Sequence, residues 1–340
     1  MTEDTTSLSY WLNSRVFLCA LWILFAIVSA SVIIWKYEGS KKSKSDRRGN
    51  KEETVGSLYE DQAWNTCLTC IHPAWLLLYR VIAFTVLFAL ITANIVTAAG
   101  GVDIFFFYTQ WTFALVTIYF GLGSSMSIYG LLCKSHSRVD DDGSYLPSID
   151  AEQHHYIPPM LKETADVPNT SKGSNNFAEP CTRKTAGVWG YAFQIIFQVS
   201  LLLTTMCAGA VILTDIVFWL VLYPFLLPTD IGLNLIVISM HSVNAVVLVG
   251  DVILNDLRFP LFRIAYYILW TCTFVIFQWI IHACSNLWWP YAFLDLSSPW
   301  APIWYLGVGL LHVPCFGVFA ALVRLKHFVL SKSFPDSYRC

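Results

Sequence analysis

Seven stretches of the chain are apolar over a length that crosses a bilayer, at about 16–35, 76–99, 104–133, 187–213, 232–254, 260–282 and 302–324. A hydrocarbon core roughly 30 Å thick needs about 20 helical residues at about 1.5 Å each, and these runs meet that length. They predict an all-α, polytopic transmembrane helix bundle of seven spans. A further apolar run, Ile216 to Leu227, holds Tyr223-Pro224 and is too short to cross, so it predicts an interfacial or re-entrant piece. In the fifth run Asn234, His241, Asn244, Asp251 and Asn255 share a sector of roughly 100° on a helix, against a background of Leu, Val, Ile and Ala. A polar stripe is costly against hydrocarbon. It is expected to face the bundle interior or a wet cavity, and an intramembrane ionisable residue such as His241 marks a site by default.

The polar segments between the runs divide the chain. The pattern gives an N-terminal segment with the first span (1–35), a polar linker (36–73), spans two and three (74–133), a polar loop (134–186), spans four to seven (187–325) and a tail (326–340). The linker opens on a Lys/Ser/Arg cluster that serves as a topogenic signal and is able to meet anionic lipid. The loop carries Asp140-Asp141-Asp142, several prolines and a Ser/Asn-rich piece. Neither composition buries a core, so both are expected to be disordered. From Trp288 to Tyr305 the chain is rich in Trp and Tyr, which reads as an aromatic belt at headgroup level.

Composition excludes a soluble protein. Charged residues make up 13% and hydrophobic ones 56%, against about 25% charged in soluble domains. The net charge of −2 hides a segregation of signs. Of 21 Lys and Arg, all but Arg15 fall on or beside alternate connections, which under the positive-inside rule puts the N-terminus outside and the C-terminus in the cytosol. Val28-Ser29-Ala30 resembles a signal-peptidase site, but Glu3 and Asp4 precede the span and a basic cluster follows it, which favours a retained anchor. On this topology the sequon Asn169-Thr170-Ser171 is cytosolic and unmodified. The expected location is a plasma or internal membrane, and the expected partners are lipids rather than nucleic acid. Cys19, Cys207, Cys272 and Cys315 lie inside apolar runs and read as small hydrophobes. Cys67, Cys70 and Cys133 flank the membrane as thiols, with acylation as the alternative. Cys67 to His72 has one residue too many for a haem-attachment run.

Several polar side chains fall at similar depth in the half-membrane nearer the N-terminus. Thr109 lies about 9 Å below that boundary, and His241 and His312 about 14 Å, while Thr271, Gln278 and His282 share one face of the sixth span. These residues are the candidates for convergence. Membrane-helix threonines also bond their own backbone and histidines bridge helices, so a structural role is open as well.

Phe105-Phe106-Phe107-Tyr108-Thr109-Gln110-Trp111-Thr112-Phe113, followed by Ile118-Tyr119-Phe120-Gly121, resembles a segment of rolling-stone-like membrane proteins. More distantly it is similar to the androgen-induced transmembrane threonine hydrolases, which act on fatty acid esters of hydroxy fatty acids. In those enzymes a threonine after an apolar-aromatic pair works with a histidine in a Met-His-Thr context two helices later. Thr109 stands in the matching place here, and Met240-His241-Ser242 where the histidine motif would be. Phe218-Trp219 with Tyr223 is similar to the intervening loop. The resemblance covers spans two to seven and departs at Ser242, at Asn244 and Asp251, and in lacking the acidic-basic pair after Phe-Trp.

The resemblance implies a lipid-ester hydrolase with Thr109 as nucleophile and His241 as base, entered sideways from the bilayer. A threonine hydroxyl is barely nucleophilic until a neutral imidazole takes its proton, and burial keeps a histidine neutral. Gln110, Asn244, Gln278, His282 and His312 are the substrate or oxyanion candidates. This chemistry calls for no cofactor and no metal. Two other classes stay open. One is a non-enzymatic receptor, adhesion or fusion factor, although the third and seventh spans lack an Asp-Arg-Tyr-like triplet and an Asn-Pro pair. The other is a haem or metal protein ligated by His241 and His312.

Overall fold

Among the described residues every long element is an α-helix. The computed structural model describes residues 4–39, 64–98, 100–142, 188–226, 235–256 and 259–338. A short helix, α1 (Leu8–Trp11), precedes α2 (Ser14–Ile34), which opens on Asn13, whose side chain accepts from the Val16 amide at 3.0 Å. Next come α3 (Pro73–Thr97) and α4 (Tyr108–Asp142). Proline at the first position of α3 loses only an amide that no helix would use, and the His72 side chain accepts from the Ala74 amide. α5 (Val188–Val217) is followed by α6 (Leu235–Met240), α7 (Val243–Leu254), α8 (Ile264–Cys284) and α9 (Ala301–Ser333). Among the described residues, seven helical stretches are long and apolar enough to cross a membrane. Large apolar side chains such as Phe25, Ile82, Phe88 and Leu310 stand exposed along them, a surface that lipid rather than water covers. The protein is a multi-pass integral membrane protein.

Four boundaries differ from the sequence pattern. Ile216 to Leu227 is not a separate re-entrant piece, because Phe218–Leu226 carries α5 onward in wider π turns. Pro224 has no amide to give an α-type bond, and the widened turns accommodate it without ending the helix. The fifth span is not one helix but two, parted at His241-Ser242, where Ser242 leaves helical geometry at φ −146° and ψ −41°. At the other end, α4 continues to Asp142 and α9 to Ser333, so helix replaces the first residues of the expected loop and tail. Residues 40–63 and 143–187 of the two polar connections, Asn169 among them, lie outside the described residues, as do Asn234 and Arg258, whereas the end of the linker, expected to be disordered, is folded on the bundle with Thr66, Cys67 and Leu68 buried.

Two buried apolar clusters organise the bundle. One joins α3, α4, α5 and α7 around Leu87, Phe113, Val116, Phe120 and Leu248. The other joins α2, α5, α8 and α9 around Cys19, Tyr267, Phe274, Leu296 and Phe316. Helix α2 packs on α8 and α9, at the edge of the second cluster. Close approach of α5 and α8 needs Gly209, where a β-carbon would stand 2.5 Å from the Tyr267 ring.

Polar contacts close both ends. At the N-terminal end Arg15 donates to the Ser297 carbonyl at 2.6 Å, Tyr10 to Asp295 at 3.3 Å, and Trp289 to the Tyr10 hydroxyl at 3.1 Å. The aromatic stretch before α9 is therefore partly a folded cap and not only an interfacial belt: Tyr291 and Tyr305 are buried, while Trp288 and Trp300 stay exposed. At the opposite end the Cys67 amide donates to the Leu254 carbonyl at 3.0 Å, and Lys326 to the Asn255 carbonyl at 2.5 Å. Cys67 is disulfide-bonded, which removes it from the free thiols expected beside the membrane; Cys70 is free and exposed.

Candidate functional site

The stripe on the fifth span divides at the break. Below it, Asp251 is fully buried and pairs with Arg80 from α3, Nε to Oδ1 at 2.7 Å. Tyr119 donates to the other carboxylate oxygen, and Asn255 donates to it at 2.9 Å. Arg80 also donates to Ser127 at 2.9 Å and to the Gly123 carbonyl at 3.3 Å. Along the sequence Asp251 and Asn255 lie beside Arg258, which is outside the described residues. The partner is Arg80, because α3 packs along α7 and delivers a guanidinium from another span. A pair so thoroughly hydrogen-bonded is the form in which a charge persists in this environment.

Above the network, the break sets His241 apart. Its ring stacks on Phe218, with centroids 3.6 Å apart and planes 5° apart, and Nδ1 is buried without a hydrogen bond. The Trp219 indole donates to the His241 carbonyl at 2.9 Å, satisfying a group at the interrupted helix. The Phe218-Trp219 pair thus packs against His241 from the end of α5.

Thr109 sits elsewhere. It lines a small apolar cavity of about 60 Å³ with Tyr108, Thr214, Thr271 and Tyr291, on the side of the Tyr291 hydroxyl. That hydroxyl accepts from the Tyr108 amide at 3.0 Å, and burial raises its pKa above the ordinary tyrosine value. No hydrogen bond joins Thr109 to His241. The helix break and the Phe218 stack hold the imidazole on one side, and Thr109 faces the small cavity beside Tyr291 on the other.

A different threonine meets a different histidine. Thr271 of α8 and His312 of α9 lie 2.8 Å apart, Oγ1 to Nε2, and the Tyr108 hydroxyl is 2.8 Å from the same Oγ1. His312 Nδ1 is 2.8 Å from the Val308 carbonyl, one turn back in its own helix. A carbonyl only accepts, so Nδ1 carries the proton of the neutral ring and Nε2 presents its lone pair to Thr271. Thr271 therefore donates to His312, and Tyr108 donates to Thr271. The backbone of α9 sets this direction by fixing the tautomer. The Tyr267 ring lies 4.5 Å from the imidazole, and its carbonyl is a weaker alternative acceptor for Thr271 at 3.3 Å.

This pair faces a cavity of about 240 Å³ between α2, α8 and α9. Its walls are apolar apart from a few groups including Thr271 and His312, and include Phe25, Ala26, Trp304 and Leu310. Thr271, Val275, Leu294 and Val308 also line the small cavity, so the two volumes share a wall that includes the threonine.

The remaining sequence candidates hold the surroundings together and line neither cavity. Gln278 donates to the Phe106 carbonyl at 2.9 Å and leaves its oxygen unpaired. His282 donates to the Gln278 carbonyl at 2.7 Å and stacks on Trp289. Asn244 is fully buried, accepts from the Ala245 amide at 2.9 Å and has an unpaired amide nitrogen; Gln110 is buried with an unpaired oxygen. His241 and His312 are engaged separately, one by a ring stack and one through both nitrogens, and neither belongs to a cluster of three metal-ligating residues among the described ones. The sequence pointed to Thr271 and His312 singly, through a shared helix face and a matched depth. Their pairing depends on the lateral order of helices, which periodicity does not carry. Comparison with family models, curated proteins and solved structures finds no match to this chain.

Proposed function

We propose that this integral membrane protein hydrolyses a lipid ester at the wall the two cavities share, with Thr271 as nucleophile and His312 as base. The observation that supports this reading is the directed chain from Tyr108 through Thr271 to His312, facing an apolar cavity beside the lipid-exposed helix α2. Thr271 Oγ1 would attack the ester carbonyl as its proton passes to Nε2, and the departing alcohol would take that proton from the imidazolium. Water then attacks the acyl-threonine, giving its proton to Nε2, and Thr271 regains a proton as the fatty acid leaves. Tyr108, already donating to Thr271, is the hydroxyl placed to follow the developing oxyanion. This assignment keeps the Thr/His chemistry that the resemblance implied and moves it from Thr109 and His241 to the pair that is bonded.

One observation favours a second reading. Gln110, Asn244 and Gln278, the amides expected to support an oxyanion, line neither cavity, which suits a non-enzymatic lipid-binding protein. Labelling of the purified protein in nanodiscs with a fluorophosphonate probe tests both. The hydrolase reading expects labelling at Thr271 that Thr271→Ala abolishes, Thr271→Ser retains and His312→Ala slows by about 10²–10⁴. Labelling at Thr109 that depends on His241 would return the site to the pair expected from the sequence. No labelling of wild type, with lipid still bound, would leave the second reading.

A further inference from the structure

We infer that the space between α2 and α9 seats one unbranched fatty-acyl chain, with a carboxyl or carboxylic ester group at Thr271 and His312. The inference uses the location of the site proposed above, but it does not require turnover.

Shape and chemistry support it together. The larger cavity, at about 240 Å³, falls below the roughly 300–1,000 Å³ of sites for drug-sized ligands, which suits one slender chain and not a two-chain phospholipid. Its wall on α2 includes Ala26, Ser29 and Ala30, small residues at one helix face, and opposite them α9 offers Gly309. A β-carbon at Gly309 would meet nothing within 4 Å, so α9 leaves space there that no neighbouring side chain fills. Polar lining is sparse, and Thr271 and His312 supply the bonded hydroxyl and imidazole at the inner wall. An amphiphile therefore has one favourable orientation, with its chain along the α2–α9 seam and its oxygen atoms at Thr271. The small cavity beyond, about 60 Å³, ends at Thr109 and Tyr291 and has room only for a short second arm. With Thr271 in the wall between the two volumes, an ester of a long acyl chain and a short alcohol is the one that their unequal sizes suit.

The position of Gly309 makes the inference testable without breaking the core. Full-length protein in nanodiscs is irradiated with a diazirine-bearing palmitic acid and, separately, with its methyl ester, and labelled peptides are mapped. Labelling is expected on α2 and α9 around Ser29 and Gly309. Gly309→Phe, which fills the open space, should reduce it about tenfold in occupancy at subsaturating probe. Gly307→Phe, whose side chain also enters open space but which does not line the cavity, should leave it unchanged. Probe spread evenly over α3 and the other lipid-facing helices, or equal labelling of wild type and Gly309→Phe, overturns the inference. So does diazirine-bearing phosphatidylcholine that labels the same peptides with equal efficiency. The acid and the ester distinguish a fatty-acid site from an ester site. Bound methyl ester that is never cleaved supports the seat while defeating the hydrolase reading; cleavage that survives Gly309→Phe with labelling already absent from the seam does the reverse.

Discussion

At the scale of single residues, the Arg80–Asp251 pair is the most consequential buried feature outside the cavities. Its carboxylate receives Arg80, Tyr119 and Asn255, so removing it leaves three donors without their acceptor in a region that excludes water. Asp251→Leu is expected to cost about 3–5 kcal/mol, the usual penalty for stranding a buried charge. Adding Arg80→Met removes the stranded guanidinium, so the double variant should unfold later than Asp251→Leu alone. Thermal unfolding in detergent checks both, and a double variant less stable than either single one would show that the two side chains stabilise through separate contacts. The same reasoning separates this pair from the chemistry. Asp251 is spent on Arg80, whereas His312 keeps a lone pair directed at a hydroxyl.

At the scale of elements, the fifth span shows how far a sequence pattern reaches. Seven spans are legible because length and apolarity alone set them, and the buried polar stripe is legible because a helix repeats every 3.6 residues. The break at His241-Ser242 is not, since Ile-Ser-Met-His-Ser-Val has no proline or glycine and continues the helical period across it. It forms because the rest of the fold satisfies the interrupted backbone, with Trp219 bonding the His241 carbonyl and Phe218 covering the ring. Thr271 and His312 were likewise visible as polar residues, but only the packing of α8 against α9 brings them to 2.8 Å. The break carries a measurable signature. The His241 and Ser242 amides make long bonds of 3.3 and 3.4 Å to residues three back, and so amide exchange in nanodiscs should be faster at 241–242 than at 246–252. Uniform protection from 235 to 254 would mean that the span behaves as one helix.

At the scale of the whole molecule, two cues point in opposite directions about which end faces the cytosol. The concentration of Lys and Arg on alternate connections puts the end bearing Cys67 inside. A disulfide at Cys67 is instead the usual mark of an oxidising compartment. The basic residues are the stronger cue, because twenty of twenty-one obey one pattern and topogenesis reads them as the chain inserts. Two native thiols report the answer without mutation: Cys284 is free and exposed at the N-terminal end, and Cys70 is free and exposed at the opposite end. With the N-terminus outside, a membrane-impermeant maleimide should label Cys284 on intact cells and Cys70 only after permeabilisation, read peptide by peptide in a mass spectrometer. For a chain resident in an internal membrane, the order reverses under selective plasma-membrane permeabilisation: Cys70 labels first and Cys284 only when the organelle is opened. Cys70 labelled on intact cells with Cys284 protected would invert the protein. It would place the Cys67 disulfide outside and turn the half of the bundle holding Thr271 and His312 toward the cytosolic leaflet, so that this leaflet would supply the acyl chain to the α2–α9 seam.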